Sequence, residues 1–322
     1  MKHHIYWWNL ENLFDVANSP SRPAWLQKEL KKELKGWTTP VLNRKIEQLA
    51  SVIRQLNGGK GPDVFGVCEV ENEVVLKKLT DALAPLGRNY VLRHHDAKDQ
   101  RGIDVAFFYD GDRYEDDGRL FSLEIMKRTY TRDLVQINLR TKPGGHDLVL
   151  IGNHWPSRID GQYESEPYRI MVAETMSYWI ERILEIKGKD ASIVVMGDFN
   201  DEPHNRSLEN YANSTRSRTQ VLNARSVPYL YNLMWPLYDQ GVGTFFGSVP
   251  MLLDQFMVSR GIISASPKTP FRVESVEIVN LPGMTVGDYN KPVRHSRPSQ
   301  GKEYNPDGFS DHLPIHLVLE EK

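Results

Sequence analysis

Short apolar runs alternate with longer amphipathic stretches along the chain. The short runs are rich in β-branched and aromatic residues, which predicts β-strands over residues 5–10, 64–70, 90–93, 105–109, 134–139, 148–153, 193–197, 254–258, 276–279 and 313–319. Several of them are apolar at nearly every position, as is typical of strands covered on both faces. The pattern therefore predicts β-sheets with helices packed outside them.

Three longer stretches repeat apolar residues every three or four positions, which predicts helices over residues 44–56, 73–83 and 167–186. The third begins at Pro167 and is followed by Gly188, an arrangement that favours a helix start and stop. Neither a low-complexity linker nor an internal repeat interrupts the chain. We therefore expect one domain that spans residues 1–322.

Composition narrows the classes of protein that fit this pattern. The 322 residues carry a net charge of −2 and a pI near 6.6, so bulk attraction to nucleic acid or to an anionic membrane is not expected. No apolar run is long enough for a membrane span, and we expect a soluble monomer. A cytoplasmic location and export with a removed leader both stay open. The single cysteine, Cys68, excludes an internal disulfide and a zinc site built from cysteines.

Acidic and amide residues collect where three of the predicted strands end. Asn9 and Glu11 stand two positions apart at the first end, Glu69 closes the second strand, and Asp198 and Asn200 close the seventh. Residues two apart on a strand point to the same side. A turn rich in Asp and Asn explains any one of these ends, but three converging sets of carboxylates repel unless a cation lies among them. Oxygen ligands without cysteine fit Mg²⁺, Mn²⁺ or Ca²⁺.

Two histidines stand in similar positions. His154 ends the apolar run before it, and His312 follows Asp311 just before the last strand. Imidazoles exchange protons near neutral pH, so both are candidates for catalysis. The consecutive order of Ser310, Asp311 and His312 argues against a nucleophile triad. We interpret five further histidines as structural: His3, His4, His94, His95 and His204.

Seven motifs in a fixed order carry a resemblance to a known family. They are WNLEN at 8–12, CEVEN at 68–72, RGIDVAFFYD at 101–110, NHWPSR at 153–158, GDFNDEP at 197–203, LLDQFMVS at 252–259 and FSDHLPIHL at 309–317. Each motif alone is weak, but the ordered set covers nearly the whole chain. The sequence resembles the endonuclease/exonuclease/phosphatase superfamily, the DNase I-like metal-dependent phosphohydrolases.

The resemblance implies a fold, a cofactor and a set of residue roles. The fold is a four-layer α/β sandwich in which two mainly antiparallel β-sheets face each other and helices lie outside. The cofactor is Mg²⁺ or Mn²⁺, and the metal ligands are Asn9, Glu69 and Asp311, with Glu11 as a further ligand. The catalytic residues are His154, Asp198, Asn200, Asp254 and His312.

Each implied catalytic residue has a chemical task. Asp198 would orient or deprotonate the attacking water, and Asn200 would contact a phosphoryl oxygen. His312 would contact the phosphate or act as the base, and a hydrogen bond to Asp254 would hold it in place. His154 would stand on the phosphate or leaving-group side.

We further expect Asn153, Arg158 and Arg101 to contact the substrate. For Arg101, an ion pair with Asp104 is the alternative, because the two stand close together in the RGID segment.

The substrate is less defined than the reaction. The segment 289–302 holds Lys291, Arg294, His295, Arg297 and Lys302, which suits a polyanion or simply offsets nearby acids. Six aromatic residues are candidates for base stacking or for the core: Trp155, Tyr229, Tyr231, Trp235, Phe245 and Phe246.

These features lead us to predict a nuclease that cleaves DNA or RNA phosphodiesters. The alternatives are a phosphatase or phosphodiesterase acting on an inositol phosphate or a sphingomyelin-type head group, and a non-catalytic binding protein that keeps the fold.

Overall fold

The structure, a computed structural model, describes residues 1–97, 99, 101–125, 132–159, 161–297 and 303–322. Most of its strands belong to two β-sheets. The strands are β1 (Lys2–Leu13), β2 (Val64–Val70), β3 (Tyr90–His94), β4 (Asp104–Asp110), β5 (Tyr114–Leu123), β6 (Leu134–Thr141), β7 (Asp147–His154), β8 (Ile193–Asp198), β9 (Ser214–Thr215), β10 (Leu230–Asn232), β11 (Phe245–Phe246), β12 (Pro250–Met251), β13 (Asp254–Val258), β14 (Phe271–Ile278), β15 (Thr285–Val286), β16 (Lys291–Pro292) and β17 (Ile315–Glu321).

The two sheets are mixed but mainly antiparallel, as predicted. Sheet A has the order β14-β17-β1-β2-β4-β3, and sheet B has the order β5-β6-β7-β8-β13-β10-β9. The pairs β1–β2, β7–β8 and β9–β10 are parallel, and the remaining neighbours in both sheets are antiparallel. Two short hairpins, β11–β12 and β15–β16, lie outside the sheets.

Large apolar side chains fill the space between the sheets. Trp7 and Phe107 from sheet A are fully buried in one cluster with Met196 and Phe256 from sheet B. Burying each such side chain stabilises the fold by about 2 kcal/mol. The sheets approach closely at Gly66 of sheet A, where a Cβ atom would come within 3.1 Å of Met196 Sδ from sheet B. This packing holds the ends of the central strands in fixed positions.

Helices cover the outer faces of both sheets and complete the predicted four layers. Leu49 of α2 and Leu76 of α4 pack on sheet A, and Val172 and Met176 of α5 pack on sheet B. None of the described helices has the length and apolar character needed to cross a bilayer. The helices are α1 (Ala24–Glu29), α2 (Thr39–Ile53), α3 (Leu56–Gly59), α4 (Glu73–Ala82), α5 (Gln162–Lys187), α6 (Arg218–Asn223), α7 (Trp235–Tyr238) and α8 (Arg260–Ile263).

Several element boundaries differ from the prediction, including those of α2, α5 and β14, and one long strand was missed. Helix α5 begins at Gln162 and holds Pro167 inside its first turns; the proline removes one N–H donor but leaves the helix intact. The predicted strand at 276–279 is the second half of β14. Strand β5 was missed because it lies at the edge of sheet B and carries several exposed charged residues in place of an apolar run.

Candidate active site

A cavity of about 320 Å³ opens at one edge of the two sheets. The parallel pairs β1–β2 and β7–β8 bring the carboxyl ends of four strands to this edge, and the segment before β17 joins them. Nine of the twelve predicted site residues line the cavity: Asn9, Glu69, Arg101, His154, Arg158, Asp198, Asn200, Asp311 and His312.

Left-handed backbone conformations bend the chain where these strands end. Glu11, Asn12, Glu69 and Asn200 have φ angles of 51°, 58°, 61° and 49°, which cost a residue other than glycine up to about 1–3 kcal/mol each. The pairing of β1 with β2 shifts register after Asn9 as a result. The surrounding fold therefore holds strained backbone at the place where the polar side chains meet.

A line of three side chains lies along one wall of the cavity. His312 Nδ1 lies 2.6 Å from Asp254 Oδ2, and His312 Nε2 lies 3.8 Å from Asp198 Oδ2. Trp7 donates its indole N–H to the other Asp254 oxygen at 3.2 Å. Asp254 is fully buried, so it orients the imidazole from behind and leaves Nε2 facing the cavity.

The charges in this line shift the pKa values of two of its members. Burial opposes the charged form of His312, but the Asp254 and Asp198 carboxylates outweigh burial and raise the pKa of the imidazole well above its usual value. Burial raises the pKa of Asp198 to about 7, against the opposing charge of His312. An imidazolium donor thus faces a carboxyl group that can exchange a proton near neutral pH.

His154 stands between two acids and one arginine. Its Nε2 lies 3.6 Å from Glu69 Oε1 and 3.8 Å from Asp198 Oδ2. The Arg132 guanidinium lies against the ring, with Nε 3.1 Å from Nδ1 and Nη2 2.9 Å from Nε2. Burial lowers the pKa of His154 well below its usual value, and the Arg132 charge adds to this effect. The imidazole is therefore neutral at neutral pH.

Two carboxylate oxygens on the cavity wall have no hydrogen-bond donor within reach among the described residues. Arg101 and His154 stay 3.8 and 3.6 Å from Glu69 Oε1. Arg294 reaches only Oδ2 of Asp311, at 2.9 Å. Burial opposes the charge of Glu69, but the nearby positive charges, of which that of Arg101 contributes most, together outweigh burial and lower the pKa of this carboxyl well below its usual value. Charged oxygens of this kind fit a hard divalent cation.

A second group of possible ligand atoms has a different explanation. Asp198, Asp254 and His312 bring one such atom each within 4.8 Å of one another. Because His312 Nδ1 is already bound to Asp254, we interpret this group as a hydrogen-bonded relay. The metal ligands that the resemblance implies are a different set, Asn9, Glu69 and Asp311, and all three line the cavity. Asn9 donates its amide N–H to Asp198 Oδ2 at 3.1 Å, which links the relay to that set.

Two predicted site residues are turned away from the cavity. Asn153 is fully buried, donates to the backbone carbonyls of Ile151 on its own strand and Met196 on β8, and accepts the Trp155 indole N–H at 3.0 Å. Its polar atoms are therefore used inside the fold and do not line the cavity. Glu11 is also buried, and its two oxygens accept N–H groups of Arg294, His295 and Ser296 at 2.7–3.1 Å. Its carboxylate therefore anchors a loop.

The predicted substrate-binding arginines have defined partners. Arg158 binds Asp201 Oδ1 at 2.8 Å and the Asn200 carbonyl at 2.6 Å, so it fixes the loop that carries Asn200. The alternative pairing of Arg101 with Asp104 is wrong, because Asp104 binds His94 Nε2 at 3.0 Å and Arg101 faces the cavity.

The sequence analysis missed Arg132, which lines the cavity and is 7% exposed. The antiparallel register of β6 and β7 places Val135 opposite Gly152. It therefore brings Arg132, two residues before β6, to the end of β7. No motif marks this arginine in the sequence. It becomes recognisable only once the pairing of these two strands is known.

The basic segment approaches the cavity from the loop before β17. Arg294 and Arg297 line the cavity and bind Asp311 and Glu33, respectively, at 2.9 Å each, so the arginines do offset nearby acids. Lys291 lies over the Phe246 ring at 5.4 Å. The predicted contribution of Lys302 falls outside the described residues.

His295 anchors this loop in an apolar environment. Its ring is 1% exposed, packs against Trp37 and Tyr304, and has no hydrogen-bond partner for either nitrogen among the described residues. Burial, followed by the Lys45 charge, lowers the pKa of His295 to about 3. The unfolded chain therefore binds an extra proton between about pH 3 and the ordinary value near 6.5. Stability rises with pH through this window and is lost as the pH falls.

We expect His295→Phe to flatten this pH dependence. The phenyl ring keeps the aromatic contacts but cannot bind a proton, so the slope of unfolding free energy with pH should fall by about 1 kcal/mol per pH unit between pH 6 and 4. Urea unfolding at several pH values measures the slope. His204→Phe, at an exposed histidine, is the control and should keep the parent slope. Parallel curves for the parent and His295→Phe would contradict the assignment.

The candidate stacking residues separate into core and cavity residues. Trp155 and Trp235 are buried, and Tyr229 and Tyr231 pack against the intersheet cluster. Phe245 lines the cavity, with its ring centre 4.9 Å from that of His312. The core interpretation is therefore correct for the two tryptophans, and Phe245 borders the candidate active site.

Comparisons with known proteins agree with this architecture. The structure of an endonuclease/exonuclease/phosphatase from Bacteroides vulgatus is 15% identical, with 100% of each chain covered and a TM-score of 0.58. Humanized Danio rerio TDP2 is 14% identical (99% of each chain, TM-score 0.59). The mannosyl-6-phosphatase of Bacteroides thetaiotaomicron is 16% identical (99% of each chain, TM-score 0.57). At such identities the likeness shows the fold.

Sequence comparison identifies the family. No curated protein matches the chain. The family model described as Endonuclease/Exonuclease/phosphatase family matches residues 4–321, which includes all the strand ends around the cavity. The chain belongs to the endonuclease/exonuclease/phosphatase family.

Proposed function

We propose that the protein is a divalent-cation-dependent phosphoester hydrolase whose substrate is a nucleic-acid phosphodiester. The observation that carries this proposal is one cavity that joins two different sets of groups. One set is the Asp254–His312–Asp198 line, and the other is the pair of carboxylates Glu69 and Asp311. The first set suits proton transfer and the second suits cation binding.

The side chains divide the work of water attack on phosphorus. Asp198, with its pKa near 7, would orient the water and accept its proton. His312, held charged by Asp254, would donate Nε2–H to a phosphoryl oxygen whose charge grows in the transition state. Asn200, whose amide nitrogen also donates to the Trp155 carbonyl, and Arg132 would add N–H donors in the same cavity.

The cation site and the leaving-group side complete this arrangement. Asn9, Glu69 and Asp311 would hold Mg²⁺ or Mn²⁺, which offsets charge on the phosphoryl oxygens. Neutral His154 would face the leaving oxygen. Water is the nucleophile in this scheme, so we propose no covalent enzyme intermediate.

The cavity lining favours a nucleic acid as the substrate. Five of the described arginines line it: Arg101, Arg132, Arg158, Arg294 and Arg297. Arginine is well suited to phosphate contacts. Phe245 on the wall offers an apolar face on which a base can stack. The next residue, Phe246, adds a second ring, which lies 6.4 Å from that of Tyr289.

A phosphatase of small phosphate esters is the second candidate. The cavity of about 320 Å³ is large enough for a small phosphorylated molecule. A mannosyl-6-phosphatase is among the similar structures. An inositol phosphate or a lipid-derived head group would also fit this candidate.

A substrate panel separates the candidates. Plasmid DNA, RNA, bis-p-nitrophenyl phosphate, inositol phosphates and sphingomyelin are each incubated with Mg²⁺ or Mn²⁺, and again with EDTA. The proposal predicts cleavage of DNA or RNA that EDTA abolishes. Turnover of inositol phosphates or sphingomyelin alone would favour the second candidate. Hydrolysis that persists in EDTA would contradict cation dependence, and no hydrolysis of any substrate would favour a non-catalytic binding protein.

A further inference from the structure

Two arginines from different loops converge on one neutral oxygen at the edge of the cavity. Arg101 Nη2 and Arg297 Nη1 each donate to Asn12 Oδ1 at 2.8 Å. Arg101 precedes β4 and Arg297 belongs to the loop before β17, so the fold brings them together from distant parts of the chain. An amide oxygen carries only a partial charge and cannot neutralise either guanidinium.

The nearby acids leave one of the two positive charges uncompensated. Glu33 lies 2.9 Å from Arg297 and offsets one charge. Glu69 lies 3.8 Å from Arg101, but the proposed function assigns its charge to the metal ion. Like charges held this close favour a bound anion between them.

Unused donors at the same place point to a ligand. Arg297 Nε is buried and has no hydrogen-bond partner among the described residues. The Arg101 side chain is 39% exposed, so its remaining N–H groups are open to solvent. A phosphate that accepts from the open N–H groups of Arg101 and lies against the Arg297 guanidinium would supply the missing negative charge.

The pair lies next to Glu69, at the border of the groups assigned to the scissile phosphate. Asn12 donates its backbone N–H to Glu69 Oε2 at 2.8 Å, which places it next to the bulge of β1. Arg101 and His154 both approach the other oxygen, Oε1, at 3.8 and 3.6 Å, so a phosphate bound by Arg101 and Arg297 would adjoin one bound beside His154.

We infer that Asn12, Arg101 and Arg297 form a second anion subsite, which binds the phosphate adjoining the scissile one in a nucleic-acid strand. The inference rests on the proposed function and deepens it. The enzyme should therefore prefer strands with a phosphate next to the cleaved linkage over otherwise identical strands without one.

Thymidine dinucleotides test this preference. Each carries one internal phosphodiester and either no terminal phosphate, a 5′-phosphate or a 3′-phosphate, and cleavage of the internal linkage is followed by chromatography. A terminal phosphate at one of the two ends should raise kcat/KM about tenfold, which corresponds to the free energy of one charge-assisted hydrogen bond. In Arg297→Gln the ratio of kcat/KM with and without that phosphate should fall towards one.

Asn12→Asp provides a second test. It adds a negative charge to the subsite, whereas Arg297→Gln removes a positive one. The new carboxylate would occupy the same position as the amide and would neutralise the two guanidiniums itself. The preference should again be lost, while the melting temperature should stay at or above that of the parent protein. Arg225→Gln, at an exposed arginine lining a different cavity, is the control and should keep the parent ratio.

The outcomes separate the subsite from the function. Cleavage of all dinucleotides by the parent protein at equal rates overturns the subsite alone. An equal loss on all substrates in Arg297→Gln, with the ratio unchanged, also overturns it, because the arginine would then serve the scissile phosphate. Failure to cleave any dinucleotide overturns the nucleic-acid proposal and the subsite with it.

Discussion

His312→Gln is expected to lower kcat for phosphoester hydrolysis by about 10³-fold, within the usual range for the loss of a catalytic proton donor or acceptor. Glutamine keeps much of the side-chain length and can still bind Asp254, but it carries no positive charge. The buried imidazolium between Asp254 and Asp198 would therefore be lost while the local packing stays. Steady-state kinetics at saturating metal ion measure the change.

A matched control separates this effect from general damage to the protein. His204→Gln changes an exposed histidine far from the relay in sequence and should leave kcat within about twofold of the parent value. Thermal unfolding of both variants checks that they fold. A kcat for His312→Gln close to the parent value would contradict the role assigned to the Asp254–His312 pair.

Glu69→Gln should have the second large effect, on metal affinity. The amide removes the negative charge of an oxygen that faces the cavity without a hydrogen-bond donor. We expect the dissociation constant for Mn²⁺ to rise about 100-fold or more and activity at limiting metal to fall accordingly. Isothermal titration with Mn²⁺ gives the constant directly.

A second variant on an exposed acid controls for the effect of Glu69→Gln. Glu115→Gln alters an exposed acid on β5, away from the cavity lining, and should bind Mn²⁺ like the parent. If Glu69→Gln binds Mn²⁺ as tightly as the parent protein while remaining folded, the ion is held elsewhere. The Asp198–Asp254–His312 group would then be the next candidate.

The sequence predicts the position of those site residues that follow the regular alternation of side chains along a strand. Asp198 and Glu69 stand at the ends of strands that are apolar throughout, so their place at a sheet edge follows from the pattern. The same rule explains why Asn153 does not line the cavity. His154 faces the cavity, so its neighbour Asn153 has to point to the other side of the strand, where it binds Trp155.

Other parts of the site depend on tertiary structure that the sequence does not display. Glu11 stands two residues after Asn9, so strand alternation predicts that both side chains point to the same side. The left-handed backbone at Glu11 breaks this alternation and turns its carboxylate to the loop at 294–296. Arg132 reaches His154 only because β6 pairs with β7 in one particular register. Long side chains such as that of Arg132 contact residues that are distant along the chain. A local sequence pattern therefore does not identify these contacts.

The central claim is that distant strand ends hold one divalent cation in a single cavity. Anomalous diffraction from a crystal soaked in Mn²⁺ tests it most directly. We expect a peak within about 2.2 Å of oxygen atoms of Asn9, Glu69 and Asp311, and the same peak should be lost in Glu69→Gln. A peak bound only to other residues, or no peak at a manganese concentration that supports full activity, would contradict the claim.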